Sequence, residues 1–262
     1  MAERRRGINR LTRTGARAQW RGAHTNEGTM AVEPRSKLRV WDLPTRLFHW
    51  ALVMLVVFQV LTAELGPSWD KEGWYRLHFW CGYAILALLL FRIAWGFVGS
   101  TTARFGHFVK GPGAGLAYAR SLLGPKGAPD IGHNPVGGWM VVALILGLLV
   151  QIITGLFATD TDMGYSAGPL AKFAGDALGR RMTTLHSYWI NLLYVMVALH
   201  VSASLFYLVV KRENLIGPMF SGDKLVPAGM VAPGLRFVSV RLALSLLIAA
   251  ACVVYLIVRI GG

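Results

Sequence analysis

The chain has 262 residues, 54% hydrophobic and 15% charged, with a formal net charge of +14. Soluble proteins carry about 25% charged residues, so this composition and a mean hydropathy of +0.47 exclude an ordinary soluble domain. The positive charge is not a nucleic-acid footprint either, because the arginines sit mainly beside apolar runs with no basic recognition module around them.

Residues 1–38 are polar and rich in arginine (Arg4, Arg5, Arg6, Arg10, Arg13, Arg17, Arg21). No apolar stretch follows them closely enough to make a secretory signal. An acid-poor, basic lead fits a transit peptide or an upstream extension with Met30 as the working start; the extension is the reading taken. Such a composition is expected to be disordered.

Five apolar spans follow, at about 47–64, 77–98, 136–158, 185–210 and 237–259. Each approaches or exceeds the roughly 20 residues that a membrane helix needs. Pro44 and Asn134-Pro135 are first-turn signals before the first and third spans. The expected fold is an all-α integral membrane bundle, with a four-helix core and a fifth, C-terminal transmembrane helix. The linkers at 99–135, Gly-rich and basic, and at 159–184, with Asp160, Asp162 and Asp176, are expected to be loops. No internal repeat is evident. Lys and Arg number twenty-one on the side holding the N-terminus and six on the other. The positive-inside rule then puts the N-terminus in the cytoplasm and, after five spans, the C-terminus outside.

Four of the seven histidines lie in or at the edges of spans: His49 in the first, His78 in the second, His186 and His200 in the fourth. Ionisable residues within a membrane are costly and point to function. His186 and His200 are fourteen residues apart. That is roughly 40° short of four full turns, so they share a helix face, about 21 Å apart along the axis. One lies near each side of a hydrocarbon core about 30 Å thick. By depth, His49 pairs with His200 near the inner side and His78 with His186 near the outer. Two bis-imidazole sites suit low-spin haem b; zinc would want three or four converging ligands. Covalent c-type haem is excluded because the chain has no Cys-x-x-Cys-His, and the two cysteines, Cys81 and Cys252, lie in apolar runs. Gly82, one turn after His78, leaves room for a flat macrocycle. Gly137, Gly138, Gly147 and Gly155 thin the third span in the same way. Arg92, fourteen residues after His78, and Arg46 are candidates to meet the propionates of an inner haem. His133 opens a His-Asn-Pro start to the third span, which the cap explains in part.

The stretch Val40-Trp41-Asp42-Leu43-Pro44-Thr45-Arg46-Leu47-Phe48-His49-Trp50 resembles the opening of bacterial cytochrome b561 and nickel-hydrogenase b-type cytochromes. So do His78-Phe79-Trp80-Cys81-Gly82, Arg92 through Ser100, Gly132 through Gly138, His186 with His200, and Arg212-Glu213-Asn214-Leu215. The resemblance covers about residues 38–225. It implies a dihaem cytochrome b domain at 39–225, followed by a C-terminal segment, 226–262, with the fifth helix. It also implies two b haems, held by His49 with His200 and by His78 with His186. Electrons would pass between the quinone pool and an outer-face redox partner such as a c-type cytochrome, a hydrogenase or another dehydrogenase. The expected location is the bacterial inner membrane, among lipid, with no nucleic-acid partner. Whether the chain turns over a substrate itself is left open. One alternative is an anchor subunit with a single working haem; another is a transporter of haem or metal.

Overall fold

The computed structural model describes residues 35–65, 70–122, 124, 131–159, 167–227 and 234–261. The segment before Arg35, including His24, and the outer-loop residues Asp160 and Asp162 lie outside them.

Five long helices dominate, each long and apolar enough to cross a membrane. They are α1 (Leu43–Glu64), α2 (Lys71–Val98), α5 (Pro135–Phe157), α6 (Ala171–Val209) and α8 (Val240–Gly261). Their starts follow from their caps. Asp42 accepts from the Thr45 amide at 2.7 Å, with Pro44 in the first turn of α1. Asn134 does the same for the Gly137 amide at 2.7 Å, with Pro135 opening α5. Each side-chain oxygen satisfies one of the amides that a helix start leaves unpaired, and proline has no amide to leave.

Helix α2 is the centre of the bundle. It packs against α1 on one flank and α8 on another, while α5 packs most extensively on α6. In its most apolar window 44% of residues are buried within the protein, against 11–22% for the other four helices, whose remaining apolar faces suit lipid. Leu89 and Trp95 on α2 are fully buried.

Three features depart from the sequence reading. The fourth span begins at Ala171, so residues 171–184, expected as loop, are helical. Polar residues such as Lys172, Asp176, Arg180 and Arg181 hide that extension from a hydropathy reading. Even counted only past Gly175, at about 1.5 Å per residue, the helix is longer than a bilayer core is thick, so part of it is expected beyond the membrane. Gly175 interrupts it with a φ of 65°. The linker after α2, expected to be irregular, holds a 3-10 turn (Thr101–Ala103), α3 (Phe105–Phe108) and α4 (Pro112–Ser121). Finally, Arg35–Arg39 forms a strand, β1, where the disordered extension was expected to reach residue 38. It pairs antiparallel with β2 (Asp223–Pro227), from Arg35 opposite Pro227 to Arg39 opposite Asp223.

The short helix α7 (Ile216–Ser221) leads into that ribbon through Gly222. Gly222 has a φ of 90°, in the left-handed region that favours glycine. Its carbonyl accepts from the amides of Val40 and Trp41 at 2.8 and 3.1 Å, tying the ribbon to the start of α1.

Candidate functional site

The structure brings four histidines into two pairs. His49 of α1 faces His200 of α6, with ring centroids 6.4 Å apart and planes at 55°. His78 of α2 faces His186 of α6, also at 6.4 Å, with planes at 77°. Helix α6 contributes to both. Its glycine break precedes His186, so the stretch between its two histidines is regular helix. The pairs are therefore stacked about 21 Å apart along it.

Each ring of the His78–His186 pair rests in a small polar cradle. The Thr62 hydroxyl donates to the Gln59 carbonyl at 2.9 Å and lies 3.2 Å from His78 Nδ1. The Thr154 hydroxyl donates to the carbonyls of Val150 and Gln151 at 2.9 and 2.8 Å and lies 3.2 Å from His186 Nδ1. His186 Nδ1 also lies 2.8 Å from the Gln151 carbonyl. A carbonyl can only accept, so that nitrogen carries the proton. The hydroxyls have spent their own protons on carbonyls, so they too accept from Nδ1. Both rings of this pair thus have Nδ1–H, which leaves Nε2 as the nitrogen that carries a lone pair. At His186 that lone pair lies 3.2 Å from Gln151 Nε2. The Gln151 amide also donates to the His186 carbonyl at 3.1 Å. Gly155 completes this seat: a Cβ there would stand 2.9 Å from His186 Cε1.

The His49–His200 pair has no such cradle. His49 Nδ1 is buried with no hydrogen-bond partner among the described residues. Two cationic side chains, Arg92 and Arg46, carry a buried nitrogen with no partner among the described residues. Arg92 is 2% exposed and lies over the rings of Phe105 and Phe108, at 5.2 and 5.8 Å. One of its terminal nitrogens has no partner. Buried Asp42, which also accepts from Trp95 Nε1 at 3.2 Å, supplies opposing charge. Arg46 donates to the Phe220 carbonyl, yet its Nε is buried and unpartnered.

His133 stands against Trp41 and Phe108, with ring centroids at 4.8 and 4.7 Å. Burial, then the positive field of Arg92 and the nearby histidines His200, His49 and His107, lowers its pKa to about 3. It is neutral at any physiological pH. Its neighbour Asn134 donates to the Tyr207 hydroxyl at 3.1 Å, which links the start of α5 to α6.

The glycines differ in what they do. A Cβ on Gly82 would make an ordinary contact with Gln59 Nε2, at 3.7 Å, and clash with nothing. A Cβ on Gly147 would meet Leu193 at 2.9 Å, and one on Gly138 the Phe108 carbonyl at 2.7 Å; these two serve helix packing. Gly137 faces the side chain of its own cap, Asn134.

The sequence reading did not single out Thr62, Thr154, Gln59 or Gln151. A signal was present. The chain holds three glutamines, and two of them begin Gln-x-x-Thr inside apolar spans, Gln59-Val60-Leu61-Thr62 and Gln151-Ile152-Ile153-Thr154.

Two imidazoles sharing one metal ion, each nitrogen about 2 Å from it and each ring centre about 1 Å further back, hold their centroids about 6 Å apart. Both pairs have that separation. Among the described residues no group of three or more His, Cys, Asp or Glu is placed to hold a bare metal ion. The donor set therefore fits an iron that brings four equatorial ligands with it, as haem iron does, and not a zinc cage.

Comparison with known proteins agrees with this chemistry. The chain is 24% identical over 233 residues to a probable Ni/Fe-hydrogenase B-type cytochrome subunit of Rhodobacter capsulatus, covering 78% of this chain and 87% of that one. It is 27% identical over 226 residues to the probable subunit of the same description from Rhizobium leguminosarum bv. viciae, covering 76% and 92%. It is 26% identical over 175 residues to a probable superoxide oxidase of Yersinia pestis, covering 64% and 88%. No solved structure matches it significantly. The profile of one family matches residues 40–222, which include all four paired histidines. The chain belongs to the prokaryotic cytochrome b561 family, and is a multi-pass bacterial membrane cytochrome of the b type that serves electron transport.

Proposed function

We propose that this chain carries electrons across the membrane through two b haems, one held by His49 and His200 and one by His78 and His186. The observation that carries the reading is the equal 6.4 Å separation of the two histidine pairs on one shared helix. Bound there, the two haems would supply reversible one-electron couples, one near each face of the membrane. The protein's own work would be to present the imidazole nitrogens of the four histidines and set their protonation. Buried Arg92 and part-buried Arg46, each with a buried, unpartnered nitrogen, are the groups proposed to neutralise the propionates of the inner haem. Gly82, one turn after His78, is proposed to leave room for the edge of the outer one.

Quinone is the proposed membrane-soluble redox substrate, with a protein partner on the outer face. Several relatives are named as Ni/Fe-hydrogenase B-type cytochrome subunits, so a hydrogenase is the first partner proposed, with a c-type cytochrome or another dehydrogenase next. The excess of Lys and Arg on one side supports a cytoplasmic N-terminus, an outer C-terminus and placement in the inner membrane. Separate replacement of His49 and His78 by alanine, followed by haem quantification, tests the site. Each variant should lose one haem and keep the other. Loss of neither, or of both in each variant, would reject two independent sites and favour a single-haem anchor.

A further inference from the structure

The two outer histidines come from different helices and are seated by different neighbours, yet the seats are alike. In each, a Gln-x-x-Thr turn of an adjacent transmembrane helix presents two acceptors to Nδ1. These are the backbone carbonyl of the glutamine and the hydroxyl of the threonine three residues later. For His186 they are the Gln151 carbonyl at 2.8 Å and Thr154 Oγ1 at 3.2 Å. For His78 they are the Gln59 backbone and Thr62 Oγ1, the latter at 3.2 Å. Thr62 and Thr154 are both buried, 4% and 3% exposed. Each hydroxyl is locked as an acceptor toward histidine because its proton is held by a carbonyl of its own helix. Neither ring of the inner pair has such a partner among the described residues, and His49 Nδ1 is buried and unpaired.

We infer that Thr62 and Thr154 are positioning residues that fix the Nδ1–H tautomer of His78 and His186, and that they hold the outer haem at a lower reduction potential than the inner one. The inference rests on the two-haem reading above. An imidazole that donates from Nδ1 to a strong acceptor becomes a better electron donor at Nε2, and such outer partners orient the ring and raise ligand basicity. A more basic axial ligand favours ferric over ferrous iron, which lowers the potential. Two ligands of one haem carry this bias and those of the other do not, so electrons would rest preferentially on the inner haem.

The test uses the purified full-length protein with Thr62→Val and Thr154→Val, singly and together, and with Thr→Ser at each site. Valine keeps the branched shape and removes the acceptor; serine keeps the acceptor. Haem quantification comes first: a wild-type protein with fewer than two haems defeats the two-haem reading itself, whatever the threonines do. With two haems present, potentiometric titration is followed optically and the ferric low-spin signals by electron paramagnetic resonance. The lower-potential component should move upward in the valine variants. A tenfold loss of preference for ferric iron corresponds to about 59 mV for a one-electron couple. The higher component should stay in place, and serine should return both potential and spectrum to the wild type. Loss of the outer haem alone, restored by serine, supports the same role. Unchanged potentials, equal shifts of both components, or a serine variant that behaves like valine would overturn it.

Discussion

Replacing Gly155 by alanine tests whether the seat of His186 is built as closely as the structure shows. The added Cβ would stand 2.9 Å from His186 Cε1 and 3.2 Å from Nδ1. Ordinary carbon–carbon contact is about 3.5–4.0 Å, so the ring must retreat by roughly 0.6 Å or more. It cannot swing freely, because Nδ1 is held at 2.8 Å by the Gln151 carbonyl and the opposite nitrogen lies 3.2 Å from the Gln151 amide. Overpacking of this kind costs about 1–3 kcal/mol. At 1.4 kcal/mol per tenfold, that is roughly 5- to 150-fold weaker retention of whatever the His78–His186 pair binds. The assay is haem per chain with redox difference spectra of the purified protein, beside Gly111→Ala, where an added Cβ meets nothing within 4 Å. Gly155→Ala should lose or spectrally alter one haem and leave the other as in the wild type. A variant that keeps both haems at wild-type potentials, or loses the inner one instead, would refute the reasoning.

Other expectations concern the scaffold. Gly222→Ala forces a β-carbon into a backbone with φ of 90° and 3.0 Å from the Trp41 carbonyl, and should lower stability by about 1–3 kcal/mol, read as an earlier melting midpoint in detergent. Asp42→Ala removes the cap of α1 and the acceptor for the Trp95 indole; about 2–4 kcal/mol of stability should go with it, read in the same melt. Acid should destabilise the fold through His133. Its folded pKa of about 3 lies below the ordinary 6.5 of an unfolded chain, so the unfolded state takes up the proton first. The contribution is complete above pH 6.5 and fades as pH falls toward 3. The groups that face it are Arg92 on α2, His200 on α6, His49 on α1 and His107 on α3. His133→Phe should flatten the pH dependence of the melting midpoint over that window, and an unchanged slope would count against the burial of this ring.

Much of the architecture was legible because membrane helices write themselves in local composition. Five apolar runs of sufficient length gave the five long helices, and Asp42-Leu43-Pro44 and Asn134-Pro135 announced two of their starts. The pairs at each depth were legible for a related reason. Fourteen residues return a helix to nearly the same face, so His186 and His200 implied partners near each side of the bilayer. The missing parts depend on contacts between distant segments. The pairing of Arg35–Arg39 with Asp223–Pro227 joins strands almost two hundred residues apart, and neither strand alternates strongly enough to be seen alone. The first stretch of α6 is polar because it stands beyond the apolar span, so a hydropathy reading starts the helix too late in the chain. Thr62 and Thr154 were not singled out in the sequence, and in the structure their hydroxyls bond back to their own helices. Only the folded neighbours, His78 and His186, show what their oxygens accept. Gly155 was read as room for a cofactor, and the structure gives that room to the His186 ring.

The most direct test is the haem content and redox titration of the purified wild-type chain. Two b-type haems per polypeptide, titrating as two separate one-electron components, is the result expected from two stacked histidine pairs. A single haem, or none that reduces reversibly, would contradict it.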